Sequence, residues 1–276
     1  MKFKIVSDSS SNIFNFQGVD FESVPLKIIT SQKEYTDDVS LDVEGMVEDL
    51  RTVSGPTRSS CPNTHEWLNA FEGSDNIFAI TITSNLSGSY SAAVNAANEY
   101  MNAHPKAKVH VIDSLSTGPE MQLAIEKIAE RHHAGDTFEE IKRAVCEYLA
   151  GTHLIFSLKS LTNLARNGRV SPAVAKIAGI LGIYVTGKAS DVGTLEQLST
   201  TRGESKTLKT ILSIMKDHAY RGGKVIIDHC LNEHAAVQLK QLIHTEYPAA
   251  SIRIGTTKGL CSFYAESGGL MLGFEG

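Results

Sequence analysis

Residues 77–90 read Ile77-Phe78-Ala79-Ile80-Thr81-Ile82-Thr83-Ser84-Asn85-Leu86-Ser87-Gly88-Ser89-Tyr90. The first six form an apolar, β-branched run with no polar alternation, which predicts a strand buried on both faces. Thr83 to Gly88 is a polar loop. The Ala-rich stretch from Ser89 to Met101, closed by Pro105, predicts a helix. A buried strand, a hydroxyl-rich loop and a helix in succession form the unit of a parallel sheet covered by helices.

The same pattern extends in both directions. Phe3-Lys4-Ile5-Val6-Ser7 runs into Asp8-Ser9-Ser10-Ser11-Asn12, and Val109-His110-Val111-Ile112 into Asp113-Ser114, with a helix through Ile125 to His132. A helix over Thr137–Leu149 leads to the strand Leu154-Ile155-Phe156. Beyond it the order changes. Ser160–Arg166 reads as a helix and Asn167-Gly168-Arg169 as a turn. Ser171-Pro172 starts a helix of small apolar residues, with serine as cap and proline at the first helical position. The turn Asp191-Val192-Gly193 predicts a hairpin between Ile183–Val185 and Leu195–Leu198. Lys224–Ile227, Asn232–Thr245 and Ser251–Ile254 predict a βαβ unit. The expectation is an α/β protein of two α/β domains. Residues 1–150 form a parallel sheet flanked by helices, and residues 151–276 a mixed α/β domain.

Composition narrows the function. The 276 residues are 42% hydrophobic and carry 26 Lys+Arg against 31 Asp+Glu, a net charge of -5. That rules out a disordered chain and offers no basic surplus for a nucleic acid. The longest apolar run, Pro172 to Thr186, contains Lys176 and falls short of the about 20 residues of a membrane span. Met1 to Val6 enters a strand with no stretch long enough for a signal peptide, and Cys61, Cys146, Cys230 and Cys261 show no paired spacing. These features predict a cytoplasmic protein with reduced thiols and no stable membrane insertion.

Catalytic signatures are missing. Gly182 to Ala189 nearly spells a phosphate-binding P-loop, but Ala189 stands where Ser or Thr must hold magnesium, and a turn follows instead of a helix. GxSxG, HExxH and GxGxxG are absent, and His229 and His234 do not share a helix face well. The expectation is no catalytic residue, no metal and no cofactor.

Ligands of open parallel sheets collect at the carboxyl ends of strands. Thr83 to Ser91 is the leading candidate: hydroxyls, Gly88 for close approach, and a helix start that favours an anion. Serines and asparagines also cap helices without any ligand. Thr57 to Thr64, ahead of the helix Glu66–Phe71, is a second hydroxyl cluster in which Asn63 or Thr64 is the natural cap. Asn167 to Ser171 is the third, where Arg169 could pair with a carboxylate or phosphate.

In order along the chain, several pieces resemble the DegV family of bacterial fatty-acid-binding proteins. They are Asp8-Ser9-Ser10, Val24-Pro25-Leu26, Tyr35-Thr36-Asp37, Ser59-Ser60-Cys61-Pro62-Asn63, Ser84-Asn85-Leu86-Ser87-Gly88-Ser89-Tyr90, Val111-Ile112-Asp113-Ser114, Asn167-Gly168-Arg169-Val170-Ser171 and Thr201-Arg202-Gly203. The resemblance implies a protein that binds one long-chain fatty acid, palmitate- or oleate-like, with its tail buried between the domains. It would present the acid to a separate fatty acid kinase. By the same resemblance Ser59 and Ser87 hold the carboxylate, with Ser60, Ser84 and Gly88 in the same loops and Arg169 near the headgroup. The family's histidine near the C-terminus corresponds to Tyr264, and its Gly-Pro-Gly to Glu266-Ser267-Gly268, so Glu266 would repel a carboxylate if it pointed inward. Ala173 to Tyr184 is a candidate tunnel wall. The alternative is a small-molecule enzyme, a phosphotransferase or hydrolase, because the family's fold is similar to that of dihydroxyacetone-kinase-like proteins.

Overall fold

The computed structural model describes residues 2–53, 55–171 and 180–276. In chain order its strands are β1 (Phe3–Asp8), β2 (Asp20–Val24), β3 (Lys27–Ile29), β4 (Glu34–Thr36), β5 (Arg58–Ser60), β6 (Asn76–Thr81), β7 (Lys108–Asp113), β8 (Thr152–Leu158), β9 (Ile183–Ala189), β10 (Leu195–Arg202), β11 (Lys224–His229), β12 (Ser251–Thr256) and β13 (Leu270–Glu275). The helices are α1 (Val43–Thr52), α2 (Thr64–Phe71), α3 (Ser89–Ala103), α4 (Pro119–His133), α5 (Phe138–Leu149), α6 (Thr162–Arg166), α7 (Glu204–Asp217), α8 (Glu233–Glu246) and α9 (Gly259–Ala265).

The first sheet runs β2-β1-β6-β7, parallel throughout. Ile77, Phe78, Ala79 and Ile80 of β6 are fully buried. The uninterrupted apolar run follows from helices on both faces: α2 and α3 cover one side, α4 and α5 the other. Asn63 caps α2 and Thr137 caps α5, each in a capping box closed by Glu66 or Glu140.

The second sheet runs β10-β9-β8-β13-β11-β12. Only β11 and β12 are parallel, and β13, late in sequence, lies between β8 and β11. The expected hairpin is present as β9 and β10. The near-P-loop is therefore strand β9 entering a turn. One face of this sheet packs on α7 and α8 through Ile155, Val225, Ile227 and Leu272. Period-two alternation turns Leu154, Phe156 and Leu158 of β8 to the opposite face.

A third sheet, antiparallel β4-β3-β5, was not foreseen. Its strands are three residues long, too short to show a hydrophobic period. The predicted helix opening at Ser171-Pro172 falls on residues 172–179, which lie outside the described residues. Among the described residues no helix is long and apolar enough to cross a membrane, and no cluster of three or more His, Cys, Asp or Glu could hold a metal.

Buried polar contacts and close packing lock the two large sheets together. Asn12 and Gln122 each donate a side-chain hydrogen bond to Asp228 at 2.7 Å, and Asn12 Oδ1 accepts the amide of Lys258. Gly273 of β13 admits the start of α4, since a Cβ there would stand 2.6 Å from the Pro119 carbonyl carbon. Asp37 accepts the amides of Gly259 and Leu260 and the Ser9 hydroxyl, capping α9. Burial pushes the carboxyls of Asp37 and Asp228 up to about 6.

Candidate functional site

A cavity of about 310 Å³ lies between the parallel sheet and the inward face of β8 and β13. Leu154, Phe156 and Leu158 form one wall and Met271 of β13 continues it. Leu260 of α9 packs with Leu26 and Ile82 in a second part of the lining, and Cys261 packs against Leu154 and Met271. This volume is at the lower end of the about 300–1,000 Å³ of small-molecule sites, and most of its lining is apolar.

Ser59, Ser87, Arg169 and Tyr264 gather at one end, while Thr117 lines the cavity beside Cys261. Ser59 sits on β5, and its hydroxyl hydrogen-bonds the Tyr264 hydroxyl at 2.7 Å. Tyr264 is on α9, the helix that Asp37 caps. Burial raises the Tyr264 pKa, outweighing the opposing effects of Ser59 and Arg169, so the phenol stays neutral and can donate. Arg169 follows α6 through Gly168, whose φ of 73° lets the chain reverse. Its Nη1 donates to the Asn167 carbonyl at 2.6 Å and its Nε to the Leu86 carbonyl at 3.3 Å. The guanidinium stands 5.8 Å from the centre of the Tyr264 ring.

The loop after β6 completes this end. Ser87 and Gly88 line the cavity, and the Ser87 hydroxyl accepts the Ser89 amide at 3.3 Å. A Cβ on Gly88 would lie 3.2 Å from Cys61 Sγ, so glycine allows the two hydroxyl loops to approach. Beneath them Asp8 is fully buried and accepts the Ile82 amide at 3.0 Å and the Ser89 hydroxyl at 2.6 Å. It fixes the end of β6 to the first turn of α3. Burial raises its pKa against those hydrogen bonds.

Of the residues singled out from sequence, Ser59, Ser60, Ser87, Gly88, Arg169 and Tyr264 line one cavity. Ser60 is at its exposed rim, its hydroxyl donating to the Cys61 carbonyl. Ser84 does not line it. The turn closed by the Leu86 amide on the Thr83 carbonyl leaves Ser84 exposed, its amide donating to Asp113. Glu266 is outside the cavity lining too: its carboxylate accepts the Asn163 amide at 3.1 Å. Of the expected tunnel wall, residues 173–179 lie outside the described residues, and Ile180 and Leu181 are exposed. The sequence reading missed the apolar lining from β8, β13 and α9. The alternate spacing of Leu154, Phe156 and Leu158, and the helical spacing of Leu260, Cys261 and Tyr264, were the available signals.

Chemically, neutral hydroxyls and one guanidinium at the mouth of an apolar chamber suit a ligand with an anionic head and an apolar body. Ser59 bonds a phenol and Ser87 an amide, neither of them a base that would activate a serine for attack.

Fold and cavity together define an α/β protein of two large sheets and one small one, with a ligand-sized apolar chamber and a polar mouth. A family model described as an uncharacterised protein of the DegV family matches residues 2–275, and the chain belongs to that family. Its relatives include a DegV domain-containing protein of Streptococcus pneumoniae, 40% identical over 279 residues and covering 100% of this chain and 99% of that one. Among solved structures, a DegV family protein of Eubacterium eligens loaded with heptadecanoic acid is 42% identical, with a TM-score of 0.97 and 99% of each chain covered. The fatty acid kinase B3 protein of S. pneumoniae, loaded with linoleic acid, is 40% identical, with a TM-score of 0.98, covering 100% of this chain and 99% of that one.

Proposed function

We propose that this protein binds a long-chain fatty acid and presents its carboxylate to a separate fatty acid kinase. The observation that carries the reading is the cavity itself, lined mostly by apolar side chains with Ser59, Ser87, Arg169 and Tyr264 at one end. Each methylene removed from water contributes about 0.8 kcal/mol, so the tail supplies most of the affinity. The carboxylate must then be hydrogen-bonded, because an unpaired buried charge is costly. Ser59 and Tyr264 exchange their mutual hydrogen bond for the acid's oxygens, Ser87 adds a third donor, and Arg169 supplies the counter-charge. Loaded relatives at 42% and 40% identity support the ligand class, and the kinase in the name of one of them supports the partner.

In this reading residues 1–150 and 151–276 are the two domains, supported by the placement of β1–β7 and β8–β13 in separate sheets. The protein is a carrier, with the phosphoryl chemistry on its partner. Its four free cysteines suit a reducing cytoplasm. The test is native mass spectrometry of the purified protein followed by solvent extraction. A co-purifying adduct of fatty-acid mass is expected. An apo mass that also takes up no added palmitate or oleate would remove the reading.

A further inference from the structure

A second crevice, of about 420 Å³, opens at the seam between the two large sheets and shares no lining residue with the chamber. It sits at the carboxyl ends of β11 and β12, the parallel pair of the second sheet, where α/β folds collect ligands. The fatty-acid reading makes no use of it.

Two buried residues in its lining have acceptor atoms to spare. Asp228, 1% exposed, takes the amides of Asn12 and Gln122 on Oδ2 alone, and its Oδ1 accepts no hydrogen bond among the described residues. A Cβ at residue 255 would lie 2.5 Å from that Oδ1, so Gly255 is what keeps it uncovered on the crevice side. Above about pH 6 Asp228 is a carboxylate and only accepts. The Nε2 of Gln122 must therefore be the atom that faces it. That leaves Gln122 Oε1 buried and without a partner, a costly state for a polar atom unless a ligand satisfies it.

Cations stand at the rim. Lys258 Nζ donates to Thr256 Oγ1 at 3.2 Å, lies 6.0 Å from the centre of the Phe14 ring, and forms no salt bridge among the described residues. Arg253 donates to Glu126 at 2.8 Å, but the same carboxylate also pairs with Lys224. Phe14, Leu41 and Val43 make the apolar part of the lining.

We propose that this crevice binds a purine nucleotide of the guanine type. The base brings two adjacent donors on one flat edge, N1–H and the 2-amino group, for Asp228 Oδ1 and Gln122 Oε1. Its rings lie against Phe14, and its phosphate meets Lys258 and Arg253. A bare ammonium or a bare anion would satisfy one half of this arrangement and leave the other unmet. The inference is independent of the fatty-acid reading, because the two sites share no residue.

The experiment titrates the whole protein with guanosine, inosine and adenosine 5′-monophosphates and with inorganic phosphate, by calorimetry and thermal melting. The guanine nucleotide is expected to bind tightest. Inosine monophosphate, which lacks the 2-amino donor, should bind about tenfold more weakly, and adenosine monophosphate more weakly again, because its N1 accepts. Lys258→Ala should weaken all three nucleotides by a similar factor. In Asp228→Asn the amide oxygen stays with the two donors and the nitrogen takes the place of Oδ1, so the preference for guanine should vanish. Equal affinity for the three nucleotides, phosphate alone binding as tightly as the guanine nucleotide, or no binding at millimolar ligand overturns the proposal. If Asp228→Asn melts early, Lys258→Ala decides, and an unchanged guanine-nucleotide affinity there overturns it as well.

Discussion

The hydroxyls of Ser59 and Tyr264 meet at 2.7 Å across 205 residues of sequence. One sits on a strand of three residues and the other on a helix of seven, and neither element is large enough to be rigid alone. Their meeting depends on Asp37, which ties the first residues of α9 to the end of β4.

Tyr264→Phe removes a donor while keeping the ring. Fatty-acid affinity is expected to fall by about 1 kcal/mol, the net worth of one neutral hydrogen bond. Ser59→Ala should cost a similar amount. Because the two hydroxyls share a site, the double variant should lose less than the sum of the singles, as a double-mutant cycle by calorimetry would show. Strict additivity would show that the two hydroxyls act independently of each other.

Ser87→Ala is expected to weaken binding more than Ser59→Ala while leaving the melting temperature nearly unchanged. The Ser87 hydroxyl accepts one amide in a half-buried loop, and the structural hold on that loop comes from Asp8. Unchanged retention of acid by this variant would remove the loop from the site.

Arg169→Lys tests the guanidinium. Its Nε and Nη1 reach two carbonyls that a single ammonium cannot satisfy in the same geometry. Binding should weaken by about 1.5–3 kcal/mol, the range for hydrogen bonds to charged groups. A lysine variant with wild-type affinity would show that charge alone suffices.

Asp37 predicts a pH dependence. Burial raises its carboxyl from 3.8 to about 6, so the folded chain holds the proton more tightly than the unfolded one. Its contribution to stability is therefore fully present below about pH 4 and is lost as the pH rises through about 6. Asp37→Asn does not titrate, so the variant should gain on the wild type between pH 4 and 7 in paired thermal melts. Parallel curves would show that the carboxyl keeps its ordinary pKa.

Much of the fold was legible because its strands are buried on both faces. β6 and β1 announce themselves as apolar runs, and polar loops follow at their carboxyl ends. The hairpin of β9 and β10 was visible from Asp191-Val192-Gly193. The three-stranded sheet was not, since Arg58-Ser59-Ser60 has no apolar period and becomes a strand only by pairing with Lys27–Ile29. Ser59, Ser87, Arg169 and Tyr264 were legible as motif positions. The chamber that joins them was not, because its wall alternates with residues serving the opposite core, as Leu154 does with Ile155. Ser84 sits in the same motif as Ser87, and only the direction of a turn separates them.

The place of β13 bears on how the molecule is made. During synthesis β8 emerges long before its neighbour, and β11 follows while the slot between them is still empty. Until Leu270–Glu275 arrives, each presents a bare row of backbone donors and acceptors, an invitation to pair with another chain. Insertion of β13 closes both edges and, through Met271, adds the last strand's share of the cavity wall. A chain cut short before residue 270 would therefore lose solubility and ligand together.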